Sequence, residues 1–281
     1  MNANAELLVC RDDHSGTVEE IPLSTYSDGM PLVRWEHANP GVYSMLLRPK
    51  SLGSFMAAMF LADAWTERWE APPHLILPAM PGARQDRLND TGDYLFTAKS
   101  IARELNHREF QSVTLVDPHS DVSAALVDRA RVIHAVDCIN PPAGKYAAVI
   151  SPDAGAEKRA GQVARKLGVP LIHAWKTRDV STGAISGFGM GKELLPLGSL
   201  VLVVDDLCDG GGTFIGLAGL IEREGFKAHL WTTHGLYSKG TAELLQHYGH
   251  LYCTDSVLGP REGVIEIDVC KKLLMLMKGD I

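Results

Sequence analysis

Short apolar runs spaced by helix-like segments constrain this chain most. HLILP (74–78), SVTLVD (112–117), AAVIS (147–151), LVLVVDD (200–206) and AHLWTTH (228–234) have the length and composition of strands. Segments 96–106, 157–167 and 214–224 carry apolar residues at helical spacing. Runs this apolar, alternating with helices, predict an α/β fold of largely parallel sheets flanked by helices. Ligands bind such sheets beyond the carboxyl ends of the strands. Each run here ends in polar or Pro/Gly-rich residues, so chemistry is expected there.

With 281 residues the chain can form two domains of about 140 residues each. NPPAGKY (140–146) is the natural joint, placing one domain at 1–142 and the other at 143–281. Within the first, residues 17–35 read as two strands joined by a turn at Ser27-Asp28-Gly29. An apolar fraction of 46% and a charged fraction of 22% exclude a disordered chain. A net charge of −7, with no Lys/Arg run, carries no footprint for nucleic acid. The five cysteines are scattered without C-x-x-C spacing, which argues against a zinc site or a disulfide framework. MNANAELLVCRDDH lacks the features of a signal peptide, and the longest mostly apolar stretch, 55–65, contains Asp63 and is too short for a membrane span. The expectation is a cytoplasmic protein with neither membrane nor nucleic-acid partners.

VLVVDDLCDGGGT (201–213) is the most informative stretch. A buried strand delivers Asp205 and Asp206 to its carboxyl end, and Asp209, Gly210, Gly211, Gly212 and Thr213 then lead into a helix. Backbone N–H groups of such a turn cradle anions, and paired carboxylates accept hydrogen bonds from vicinal sugar hydroxyls. Together they suit a sugar phosphate. Taken singly, the loop is also compatible with Asp206 or Asp209 serving as a helix N-cap beside a tight glycine turn.

This string resembles the phosphoribosyl-diphosphate motif of type I phosphoribosyltransferases. LPAMPGARQDR (77–87), LVDPHSD (115–121), VISPDAGAEKRA (149–160), IHAWKTRD (172–179) and TTHGLYSKG (232–240) resemble, in order, segments of the ribose-phosphate diphosphokinases. TYSDGM (25–30) sits where that family has a similar S-D-G turn. The resemblance implies two phosphoribosyltransferase-like domains with the active site between them. It also implies transfer of diphosphate from ATP to the anomeric hydroxyl of ribose 5-phosphate, giving a ribosyl 1-diphosphate (PRPP) and AMP.

On that reading ATP is held by Tyr26, Asp28, Arg84, Gln85, Asp86, Arg87 and His119. The ribose phosphate is held by Asp205, Asp206 and Asp209 to Thr213. Guanidinium forks at Arg84 and Arg87 suit phosphates. His119 and Asp153 would serve Mg²⁺, and Lys176 and Arg178, with His119, would be catalytic, the first two on a mobile arm. The glycines of SGFGMGKE (186–193) lack P-loop spacing and read as the hinge of a lid that begins at Lys176. Relatives are usually oligomers, so a homo-oligomer is expected, with the S-D-G turn reaching a neighbour's adenine. Gly210 stands where the family loop carries a hydroxyl residue, which makes the loop roomier and keeps ADP-ribose open as an alternative acceptor. A catalytically silent regulatory homologue is the other alternative.

Overall fold

The computed structural model describes residues 5–11, 18–35, 43–88, 95–178, 185–259 and 261–276. Its contacts divide the chain into two units: Met1–Ile133 with Ser256–Leu258 and Asp268–Ile281, and His134–Asp255 with Gly259–Ile267.

The first unit contains β1 (Leu7–Arg11), β2 (Val18–Glu20), β3 (Leu23–Thr25), β4 (Pro31–Val33), β5 (Tyr43–Leu47), α1 (Leu52–Trp69), β6 (His74–Ile76), α2 (Thr97–His107), β7 (Ser112–Val116), α3 (Asp121–Leu126) and β8 (Ala130–Ile133). Its main sheet has the order β2-β1-β5-β6-β7-β8. The pairs from β5 to β8 are parallel, and those made by β1 are antiparallel. β3 and β4 form a separate hairpin around the expected turn, with the Asp28 carboxylate accepting from the Met30 N–H at 3.0 Å. Helix α1 begins where Ser51 and Ser54 exchange a capping box and stops at Glu70, which is in the left-handed region (φ 52°). Every residue of β5 and β7 is buried. They share one core with Phe55 and Trp65 of α1 and Leu105 of α2.

The second unit contains α4 (Ala135–Cys138), β9 (Ala148–Ser151), α5 (Glu157–Leu167), β10 (Leu171–Arg178), β11 (Ile185–Met190), β12 (Leu200–Cys208), α6 (Gly212–Arg223), β13 (Lys227–Gly235), α7 (Leu244–His247), β14 (Tyr248–Thr254) and β15 (Val264–Ile267). Sheet order is β11-β10-β9-β12-β13-β14-β15, parallel except for β10 with β11. Along β12 the two-residue period of a strand sorts side chains between two cores. Val201 and Val203 pack with Leu217 and Ile221 of α6, and Leu202 and Val204 with Val163 and Ala164 of α5. A strand covered on both faces has no polar positions until it leaves the layers, which is why acids appear only at its end.

The chain then returns to the first unit as α8 (Cys270–Leu276), which packs against β5 and β6. No helix among the described residues is long and apolar enough to cross a membrane.

Candidate active site

In the second unit, α6 starts directly after Gly211, which occupies the N-cap position at φ +79°, and no side chain caps the helix. The N-cap alternative for Asp206 and Asp209 is thereby set aside. Uncapped N–H groups at a helix start are open to an anion and carry the positive end of the helix dipole. The Asp209 carboxylate instead accepts from the Ser238 hydroxyl at 2.6 Å, so it staples the loop to residues 235–240 as well as lining it.

Behind the loop, Asp205 and Asp206 are close together and share one cation. Arg159 of α5 places Nη1 3.7 Å from Asp205 and 3.6 Å from Asp206. The Asp206 N–H donates to the Asp205 carboxylate at 2.8 Å. Burial first, and then the Asp206 charge, push the Asp205 carboxyl well above the ordinary carboxylate range, with Arg159 opposing. Hydrogen-bond donors arriving from a ligand would relieve this repulsion. Sequence reasoning quoted Arg159 within SPDAGAEKRA without singling it out. Its signal is a long cation at helical spacing with Ala160, Val163 and Ala164 on the buried face of α5, where an unpaired charge would be costly.

Lys176 lies in β10, with Nζ 2.6 Å from the Asp153 carboxylate and 3.4 Å from the Thr213 hydroxyl. Asp153 also caps the turn after β9, accepting from the Ala156 N–H at 3.2 Å. The structure thus gathers Asp153, Lys176, Asp205, Asp206 and the 209–213 loop in one unit. Glycines 187 and 189, expected in a hinge, lie instead in strand β11, paired with Thr177 and Trp175. Close approach requires only the second: a Cβ on Gly189 would come within 2.3 Å of the Trp175 ring, whereas one on Gly187 would meet nothing within 4 Å. Phe188, opposite Lys176 in the ladder, occupies the space beside Gly216 of α6, where a Cβ would meet its ring at 2.1 Å. The aromatic socket therefore anchors β11, the strand paired with the one that carries Lys176. Arg178 is the last residue of β10, and the tip of the expected lid, 179–184, lies outside the described residues.

In the first unit, the ARQDR loop follows β6 and is held against the start of α2. Gly82 is at φ +72°, and a Cβ there would meet the Thr97 methyl at 2.7 Å. The Gln85 carbonyl accepts from the Ala98 N–H at 3.1 Å, and its side-chain oxygen accepts from the Thr97 hydroxyl. Arg84 and Arg87 are both exposed. Asp86 is buried and bound by Arg87 at 2.9 Å. Burial raises its carboxyl, but the hydrogen bond from Arg87, the nearby Ser120 hydroxyl and the charges of Arg87 and His119 outweigh that, leaving it below the ordinary value. The loop after β7, with exposed His119, therefore converges on the ARQDR loop. Tyr26 lies elsewhere, in a groove of about 730 Å³ lined also by Trp35, Phe60 and Arg68, and none of residues 84–87 lines it.

A model of the phosphoribosyl transferase domain matches residues 130–253, the stretch that holds the second sheet's parallel strands β9, β10, β12, β13 and most of β14. Ribose-phosphate pyrophosphokinase of Mycoplasma genitalium is 31% identical over 76% of this chain and 66% of its own length. The Mycoplasma pneumoniae enzyme of the same name is 30% identical over 76% of this chain and 67% of its own. The chain belongs to the ribose-phosphate pyrophosphokinase family. It spans about two thirds of the length of these two relatives. The crystal structure of phosphoribosylpyrophosphate synthetase from Mycobacterium smegmatis superposes with a TM-score of 0.77 at 22% identity, covering 94% of this chain and 91% of that one, which places both units in the family fold.

Within this pyrophosphokinase fold, divalent metal is a matter of which oxygens are on offer. His119 and Asp153 belong to different units, and among the described residues no group of three or more His, Cys, Asp or Glu gathers as a cage. Magnesium is commonly carried by one or two carboxylates and substrate phosphates, and the Asp153 carboxylate fits that mode. The space expected to be open at Gly210 is bordered by the Lys239 stem, whose Cδ and Cε lie 3.5 Å from the position of a Cβ, an ordinary van der Waals contact.

Proposed function

We propose that this chain transfers the diphosphate of ATP to the anomeric hydroxyl of ribose 5-phosphate, forming PRPP and AMP. The observation that carries the reading is the carboxylate pair Asp205/Asp206 held behind an uncapped glycine loop, with Lys176 reaching Thr213 of that loop. The loop amides take the 5-phosphate and the carboxylates accept from the ribose hydroxyls. Arg84, Arg87 and His119 hold the triphosphate, with Gln85 and Asp86 ordering their loop. The acceptor oxygen forms a bond to the β-phosphorus, the bond from that phosphorus to the α–β bridging oxygen breaks, AMP carries the bridging oxygen away, and the hydroxyl proton passes to solvent. Lys176 and Arg178 supply positive charge where the transferring group gathers negative charge. Mg²⁺, with Asp153 as its protein ligand, would neutralise phosphate charge. Tyr26 and Asp28 are adenine contacts supplied to a neighbouring copy in a homo-oligomer.

The stem of Lys239 over Gly210 favours a terminal phosphate over the continuing phosphodiester of ADP-ribose. Incubating the protein with ATP, Mg²⁺ and each acceptor, and following AMP by chromatography and the new anomeric diphosphate by ³¹P NMR, tests the reading. The expected result is stoichiometric AMP and PRPP from ribose 5-phosphate. Release of ADP, no AMP, or kcat/KM more than about tenfold higher for ADP-ribose would overturn it.

A further inference from the structure

Loop 235–240 is fastened to the phosphate loop along its length. Leu236 and Tyr237 N–H groups donate to the Cys208 carbonyl at 2.9 and 3.1 Å, and the Ser238 N–H donates to the Asp209 carbonyl at 3.0 Å. The Ser238 hydroxyl adds the 2.6 Å bond to the Asp209 carboxylate. Tyr237 is held in the left-handed region (φ 46°), and its buried ring covers Gly235, where a Cβ would approach it to 2.3 Å. A Gly240 N–H to Tyr237 carbonyl bond at 2.8 Å closes the turn around Lys239. The result is a rigid platform, and from it the Lys239 methylenes run back across Gly210, with Cγ at 3.8 Å and Cδ and Cε at 3.5 Å from the position of a Cβ.

A lysine stem lying on backbone while its head stays in water is common on protein surfaces. Here the backbone it crosses is the anion loop itself. The neighbouring carboxylates are otherwise engaged: Asp209 with Ser238, and Asp205 and Asp206 with Arg159. Resting on the proposed function, we propose that Lys239 is a binding residue for the 5-phosphate of the acceptor, its ammonium closing over the phosphate from the side on which Gly210 offers no side chain. Amides and a helix start bind one face of a phosphate, and a lysine supplies a point charge to another. A dianionic monoester gains more from that charge than a diester, so Lys239 selects acceptors ending in phosphate.

The test compares wild type with Lys239→Met, which keeps the stem and removes the charge, and with Lys239→Arg. Steady-state kinetics should show KM for ribose 5-phosphate raised at least about tenfold in Lys239→Met, with kcat and the KM for ATP within about twofold of wild type and most of the loss recovered in Lys239→Arg. With unphosphorylated ribose as acceptor, kcat/KM should be the same in both proteins, a result that a purely structural role would not give. Calorimetric titration with ribose 5-phosphate, without ATP, should show the same loss in Kd. An unchanged KM and Kd, or an equal loss for both acceptors, overturns the proposal. If wild type binds ribose 5-phosphate without turning it over, the reaction is misassigned and the Kd comparison alone judges Lys239. If wild type neither binds nor reacts with it, both fall.

Discussion

Two aspartates, one in each unit, are driven in opposite directions: Asp86, which is buried, and Asp205, which is partly buried. Asp86 is pulled below the ordinary carboxylate range because the bond from Arg87, the nearby Ser120 hydroxyl and the charges of Arg87 and His119 together overcome burial. Asp205 is pushed above that range because burial and Asp206 outweigh an Arg159 that stands off at 3.7 Å. The first acid is bound at one oxygen by the adjacent Arg87 and serves to order the ARQDR loop. The second is left with electrostatic strain that donors outside the chain can discharge, as expected of a residue whose partner is a substrate. The same contrast runs through the two candidate loops. The first unit presents guanidinium groups near the surface, whereas the second presents backbone amides over buried carboxylates.

The largest effect should come from removing charge at the transferring group. Lys176→Ala and Arg178→Ala should each lower kcat by about 10²-fold or more with little change in ATP affinity, since they act on transition-state charge. Near-normal turnover in either variant would detach β10 from the chemistry. Next, Asp206→Asn should weaken acceptor binding by about 1.5–3 kcal/mol through loss of charge-assisted hydrogen bonds, read as a higher KM for ribose 5-phosphate alone. Arg84→Gln should instead raise the KM for ATP, with a dependence on ionic strength. The reverse pattern would exchange the two sites. Gly216→Ala should displace Phe188 and the strand carrying Lys176, costing about 1–3 kcal/mol in stability and lowering kcat. If kcat survived while stability fell, the socket would be structural only.

The smallest effects are also the sharpest test of the comparison, because they differ in sign. An acid with a raised folded pKa binds protons more tightly folded than unfolded. Its contribution is complete below the unfolded value of about 4 and is lost as pH rises through the folded value. Asp205→Asn should therefore raise Tm at pH 7, by a few degrees, and flatten its decline above pH 4. Asp86 has the opposite sign, contributing above its unfolded pKa and losing that contribution as pH falls. Asp86→Asn should lower Tm at pH 7, by less than about 4 °C. Thermal melts from pH 3 to 8 on both variants would show it, and shifts of the same sign would erase the distinction drawn between the two units.

The strands and helices that frame the chemistry were legible because covered strands leave an apolar signature on both faces. SVTLVD became β7, AAVIS β9 and LVLVVDD β12, while segments 157–167 and 214–224 became α5 and α6. The candidate loops were legible for the same reason, since polar residues at a strand's end have nowhere to be but outside the layers. Sequence alone thus determined the α/β class and where the two candidate loops and the acid pair would lie along the chain. It could not show that Arg159 serves both acids, that Lys239 crosses Gly210, or that the glycines around Phe188 form a strand. Those pairings join residues far apart in the chain, such as 159 with 205 and 188 with 216, and no local pattern records which distant side chain will fill a given space. Nor could it show that α8 returns to β5 and β6, because an apolar helix face reports that it must be covered and not by what. Those choices are made by the shapes of packed layers, and they exist only once the layers have formed.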